Sequence, residues 1–431
     1  MTDGFDDLTF ATLDVGKEGD PTDERVAGWA DALTRGFHMG RPQGRFRSAW
    51  LEHVRADGVV VRGAWQAEPR IGPGTIPVAT YASFDKTLNT GGAEPLQPLR
   101  MITDVTVAPT HRRRGLLRKL ITDDLQDAVD RGVPLAALTV SEGAIYGRFG
   151  FGLATYSRRV EVDTTTRFAL RELDDATPGR VELVEPMEAW PAVASVFERF
   201  HATTRGSVAR PEFYRTQLTG ELNAAQTSED THLRAAVHLG PGGEPDGHAL
   251  YRHAGRSEEV PTVDVVDLVA LTPSAYLRLW RFLADIDLVR RVRWNRAPME
   301  DPLPWALVEP HVVKVTGVDD RLWVRVLDVP AALQARPWGA DGSVVLEVDD
   351  ALGYAAGRWL VRTQDGRATV TPTDDAPGVR LAADALGSLY LGGVPVATLH
   401  GGGRLAGDGA ALDTLAAMAD AGPTPYCITG F

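Results

Sequence analysis

Cysteine is almost missing from this chain: Cys427 is the single one in 431 residues. No intrachain disulfide can form, and no cluster of thiolates can hold a metal. Long apolar runs are missing as well. No window approaches the roughly 18 uninterrupted apolar residues of a membrane-spanning helix, so no membrane partner is expected. The first ten residues, MTDGFDDLTF, lack the basic and apolar regions of a secretory signal, which points to the cytoplasm. Positive charge is in short supply. Forty-five Lys and Arg stand against 58 Asp and Glu, a formal net charge of -13. Binding nucleic acid requires a basic face, so no nucleic-acid partner is expected. His38, His53, His111 and His201 have no ligand spacing among them, which removes a metal site from the expectation.

What is present reads as an ordinary globular chain, 44% hydrophobic and 24% charged, long enough for two to four domains at about 100–200 residues each. Residues 26–57 have helical periodicity, interrupted by GRPQGR. GVVVRGAW (58–65) and IPVATYASF (76–84) read as strands, with EPRIGPG as turn material between them. MITDVTV reads as a further strand and APTHRRRG as a loop. In LLRKLITDDLQDAV, Leu117, Leu120, Ile121, Leu125, Ala128 and Val129 recur on one helix face. The acids Asp123 and Asp124 read as the solvated side of that helix. PLAALTV is the next strand and leads into SEGAIYGRFGFG, where Phe149 and Phe151 read as packing residues and the glycines as turns. Strands alternating with helices indicate a mixed α/β sheet with crossover helices.

The rhythm of strand, proline and amphipathic helix returns at VDVVDLVALTPSAYLRLWRFLADID. This copy carries TPSAYLRLW where the first carries APTHRRRGLL. The two suggest an internal repeat whose second member has lost its arginines. From about residue 312 short strands, turns and small helices follow, rich in glycine and proline, as in a separate α+β unit.

The arginine run raises a chemical question. A helix N-terminus presents unpaired N–H groups and the positive end of the helix dipole. If THRRRG leads straight into such a helix, Gly115 allows close backbone approach and the site suits an anion such as pyrophosphate. No GK[ST] follows the glycine and no G-x-G-x-x-G is present, so neither phosphate-loop family applies. A preceding strand with a free edge can add an extended amide-bearing arm as an extra strand. Pantetheine is such an arm, and coenzyme A carries both groups.

VTVAPTHRRRGLLRKL resembles the acetyl-coenzyme-A motif of the GNAT N-acetyltransferases, Arg/Gln-x-x-Gly-x-Gly/Ala after a strand. Arg112 and Gly115 match, and Leu117 departs from the last small position. Together with SEGAIYGRFGFG and Phe431, the whole chain is similar to the Eis-type acetyltransferases, in which that leucine is usual. The resemblance implies tandem GNAT-fold domains followed by a sterol-carrier-protein-like α+β domain: an active GNAT domain over 1–158, a degenerate one over 159–310 and the third unit over 311–431. It implies acetyl-CoA as acyl donor and small amines, aminoglycosides among them, as acceptors. It also implies a homohexamer.

Carried over by position, the backbone of Val105, Thr106 and Val107 pairs with pantetheine. The turn of Arg113, Arg114, Gly115, Leu116, Leu117 and Arg118 cradles the pyrophosphate, mostly through N–H groups. Ser141 and Glu142 border the cofactor near the thioester. Acetyl transfer also needs a proton donor for the departing thiolate and a proton acceptor for the amine. Tyr146 is the expected donor, since an unperturbed tyrosine (pKa about 10) is protonated at neutral pH. The backbone carboxylate of Phe431 is the expected acceptor, at the end of the uncharged tail TPYCITGF. The acceptor pocket is expected between the Phe37–Trp50 region, the strand before Val105 and that tail. Ser141 is no hydrolase nucleophile, because no G-x-S-x-G surrounds it, and His400–Gly403 reads as a turn. Two other classes stay open: a silent coenzyme-A-binding regulator, and a lipid-binding protein built on the third unit.

Overall fold

The computed structural model describes all residues except 1–4, 17–22, 42–43, 73, 141, 172–178, 224–227 and 256–258. Its first part runs β1 (Leu8–Leu13), α1 (Arg25–Gly36), α2 (Arg45–Ala56), β2 (Val60–Gln66), β3 (Ala79–Asn89), β4 (Leu96–Val107), α3 (Leu116–Asp130), β5 (Leu135–Leu138), α4 (Gly143–Tyr146) and β6 (Gly152–Leu153). The second runs β7 (Tyr156–Asp163), β8 (Arg180–Val184), α5 (Pro186–Thr203), α6 (Phe213–Leu218), β9 (Arg234–Leu239), β10 (Pro245–His253), β11 (Thr262–Ala270), α7 (Pro273–Ala284), β12 (Arg291–Ala297), α8 (Leu303–Ala306) and β13 (Val313–Asp320). The third runs β14 (Trp323–Val326), α9 (Val329–Ala335), β15 (Gly342–Asp349), β16 (Gly357–Gln364), β17 (Arg367–Pro372), β18 (Val379–Ala382), α10 (Ala383–Tyr390), α11 (Val396–Gly401), β19 (Leu405–Gly407) and α12 (Gly409–Ala419).

Three mixed sheets result, in the orders β1-β2-β3-β4-β5-β14-β6, β13-β7-β12-β11-β10-β9-β8 and β17-β16-β15-β18-β19. The repeat legible in the sequence is a repeat of topology. β4 reaches β5 through α3 and pairs with it in parallel, as β11 reaches β12 through α7. β5 is buried along its whole length, as a parallel strand covered on both faces should be, whereas β12 alternates buried and half-exposed positions.

Strand membership departs from a division by chain order. A cut between 158 and 159 divides β7, whose residues all belong to the second sheet. A cut between 310 and 311 puts β13 in the third unit, yet it pairs with β7. β14, further on, enters the first sheet between β5 and β6. Local apolar runs mark a strand but carry no label for the sheet that takes it. Close packing locks β14 in place. A Cβ on Gly152 would stand 1.8 Å from the Asp384 carbonyl oxygen, so only glycine lets α10 lie against β6.

The helix α3 corrects one sequence reading. Asp123 is exposed and pairs with Lys119, but Asp124 is wholly buried. Its carboxylate accepts from Tyr81 Oη at 2.9 Å and Ser83 Oγ at 2.6 Å and pairs with Arg62. Asp124 lies three and four residues from Ile121 and Leu120 and beside Leu125, on the face that meets the sheet. Removing one partner of a buried pair costs about 3–5 kcal/mol, so this cluster fixes α3 against β2 and β3.

Candidate active site

The site grows from the parting of two strands. β4 and β5 pair only from Leu99–Leu135 to Ile102–Leu138. β4 continues to Val107 with β3 on its other edge. Thr103 to Val107 therefore have no strand partner on the β5 side among the described residues. Val105, Thr106 and Val107, the expected pantetheine residues, lie along this open edge. Thr106 Oγ1 also shares a hydrogen bond with Thr80 Oγ1 at 2.6 Å, and α1 rests on it at Gly36.

Beyond β4 the chain turns through Arg113 (φ 63°) and Gly115 (φ 85°) into α3. Gly115 is the N-cap residue, and no side chain caps the helix. Its first-turn N–H groups are thus available to an anion. The chemistry of this helix start fits an anion such as the pyrophosphate of coenzyme A. Leu116 is buried and Leu117 packs on the core. The Arg114 guanidinium is engaged by Asp7, and that of Arg118 lies 6.0 Å from the Phe149 ring centre.

The second copy differs from the first at both features. α7 starts at Pro273, and Thr272 caps it by accepting from Ala275 N at 3.1 Å. There a side chain takes one of the first-turn N–H groups, where α3 has no side-chain cap. β11 also runs past its pairing with β12, but Asp267 in that stretch is held by Arg210 at 2.6 Å and His248 at 2.8 Å. The arginine and histidine hold its carboxyl well below the usual range despite burial. The chain's last segment packs into the same core through Tyr426 and Ile428.

That segment then crosses to the first sheet. Arg296 donates to the Ile428 carbonyl at 3.0 Å, Thr429 Oγ1 to Val208 O at 2.9 Å, and Gly430 N to Tyr214 Oη at 2.8 Å. A backbone oxygen of Phe431 accepts from Thr139 Oγ1. Thr139 directly follows β5, at the mouth of the parting. The Phe431 ring meets Phe84 edge-on, centroids 6.4 Å apart.

A cavity of about 580 Å³ opens here. Phe37 and Trp50 line it from the helical side, Thr103 and Asp104 from β4, and Gly430 and Phe431 from the tail. These are the three regions the sequence indicated for the acceptor. Thr139, Phe84, Arg296 and Arg321 also line it and had no signal in the sequence.

Tyr146 ends α4 and does not line this cavity. It is partly buried on the α3 side of the sheet, edge-on to Phe151 at 6.4 Å. Burial, with a smaller push from Glu142, raises its hydroxyl to about 12, so it holds its proton at neutral pH. Glu142 is exposed at the start of α4, and Ser141 lies outside the described residues. Phe149 and Phe151 are buried, as packing residues should be. Among the described residues no group of three or more His, Cys, Asp or Glu could hold a metal.

Acetyltransferase (GNAT) domain families match residues 20–154 and 206–326, and the sterol carrier protein domain family matches 329–428. The chain is 38% identical to the N-acetyltransferase Eis of Mycobacterium tuberculosis, over 83% of this chain and 85% of that protein. It is 35% identical to an uncharacterized N-acetyltransferase of Streptomyces griseus, over 81% and 86%. The crystal structure of Eis1 from Mycobacterium abscessus superposes with a TM-score of 0.80, at 29% identity, covering 98% of this chain and 100% of that one.

Proposed function

The chain belongs to the Eis-type family of GNAT N-acetyltransferases, and on that premise we propose that it acetylates primary amines of small cationic acceptors such as aminoglycosides. One observation carries this reading. A single parting of two strands has an uncapped helix N-terminus beyond one end and an acid-bearing, aromatic-walled cavity at the other. Acetyl-CoA supplies the activated acetyl group. Val105, Thr106 and Val107 orient its arm by backbone pairing, the N–H groups from Arg113 to Arg118 hold its pyrophosphate, and Ser141 and Glu142 border it. The carboxylate of Phe431, held by Thr139, takes the proton of the reacting amine. Tyr146 gives its proton to the departing sulfur. Aminoglycosides enter through the family resemblance, and the cavity's acids suit their charge.

The direct test is turnover of acetyl-CoA with aminoglycosides, polyamines and lysine peptides, in the wild type and in Gly115→Val. A Cβ on Gly115 has room, since its nearest neighbour is Phe5 at 3.7 Å. The strain comes from φ 85°, which a β-branched residue avoids. The variant should show an acetyl-CoA KM raised by about tenfold or more with the fold retained. Undiminished cofactor affinity would remove the pyrophosphate assignment, and absence of turnover with every amine would remove the function.

The homohexamer follows from the resemblance and is part of the same proposal. Light scattering should return six chain masses, and a monomer mass would reject it. The proposal assigns the enzyme to the cytoplasm, with no metal, nucleic-acid or membrane partner. Among the described residues no helix is long and apolar enough to cross a membrane.

A further inference from the structure

The cavity contains an acid that the proton transfers above do not use. The β3–β4 register passes from Ala82–Thr103 to Thr80–Thr106, so Asp104 and Val105 together face Tyr81. This is a β-bulge, a device that re-aims a side chain next to a site. Asp104 takes φ 57°, a left-handed backbone that is strained for a non-glycine residue. Its carbonyl accepts from Thr80 Oγ1 at 2.8 Å, which holds the bulge. Such strain persists where surrounding structure imposes it.

The bulge puts Asp104 on the cavity wall two residues past Ile102, the last β4 residue paired with β5. Thr139, one residue past the other end of that last pair, holds Phe431. Two acids thus stand where the strands part, one on each side. Protein packed around Asp104 pushes its carboxyl up to about 6, with a small opposing effect from Thr103. Below neutral pH it begins to take up a proton. At neutral pH it is mostly ionised.

Its neighbours in the cavity are otherwise engaged. Asp57 pairs with Lys86 at 2.5 Å, and Asp320 accepts from Trp323 Nε1 at 2.7 Å. Arg296 and Arg321 line the cavity on the tail side, beside Gly430. Among the described residues Asp104 has no ion-pair partner. A half-buried carboxylate on a cavity wall with no cation beside it is an unfavourable arrangement. A cationic ligand relieves it.

We propose that Asp104 determines acceptor specificity by pairing with an ammonium group of the acceptor other than the one acetylated. The reacting nitrogen must lose its charge before it attacks. A carboxylate that remains ionised therefore pairs productively with a nitrogen that keeps its proton. Aromatic walls at Trp50, Phe84 and Phe213 enclose the carbon framework between the two nitrogens. The acceptor class is then a diamine or polyamine, or a sugar bearing several amines. This inference rests on the amine-acetylation reading above.

The test compares the wild type with Asp104→Asn and Asp104→Glu, using 1,5-diaminopentane and n-pentylamine as acceptors at neutral pH. Asparagine accepts the left-handed backbone, so Asp104→Asn removes charge and keeps the bulge. The wild type should prefer the diamine. In Asp104→Asn the diamine KM should rise by about tenfold or more, with the KM values for n-pentylamine and acetyl-CoA held within about twofold. Asp104→Glu should recover part of the preference. Equal loss with both acceptors, or an unchanged diamine KM, would overturn the proposal. A wild type that binds acetyl-CoA but acetylates neither amine would instead overturn the amine-acetylation reading, and this inference with it.

Discussion

Tyr146→Phe is expected to lower kcat by about 10²–10⁴-fold, the ordinary cost of losing a general acid. The ring and its edge-on contact with Phe151 at 6.4 Å remain, so packing should not change. The hydroxyl has no hydrogen-bond partner among the described residues, which means its removal leaves no orphaned group behind. Burial raises it to about 12. A pKa that high keeps the proton in place across the assay range, so this residue should impose no alkaline fall in rate below about pH 11. Stopped-flow or steady-state kcat, measured beside calorimetric acetyl-CoA affinity, separates chemistry from binding. Turnover within about twofold of the wild type would make the hydroxyl a packing feature.

Neutralising the carboxylate at Phe431 should be comparably severe, about 10²–10⁴-fold in kcat if it takes the amine's proton. Deleting the residue tests nothing cleanly, because the ring that meets Phe84 leaves with the charge. Semisynthetic amidation keeps the ring and removes the charge alone. The amide carbonyl still accepts from Thr139 Oγ1, and Gly430 N still donates to Tyr214 Oη. Tail docking and thermal stability should therefore hold while turnover collapses. Full activity in the amidated protein would refute the assignment.

Much of this is legible in the sequence. The apolar face of α3 and the helices α1 and α2 follow from spacing, and β2, β3 and β4 follow from β-branched and aromatic runs ended by glycine and proline. The Arg–Gly loop announced its turn because few residues besides glycine accept the φ of 85° found at 115. Asp124 is not distinguishable from a solvated acid in the sequence, because one position on a helix looks the same whether it faces water or an arginine of the sheet. Asp104 left a faint trace, a lone acid within MITDVTV. A charge inside a strand run is a sign of a bulge or a site.

Local chemistry along the chain thus determined the elements, the anion-ready helix start and the family. Tertiary structure alone decided which sheet received β7, β13 and β14, since pairing is settled between residues far apart in sequence. It alone brought Phe431 to Thr139 across 292 positions. It alone set the second copy apart, where Thr272 caps α7 and Arg210 holds Asp267. Periodicity records the face a residue presents. Its partners depend on long-range contacts that no single stretch encodes.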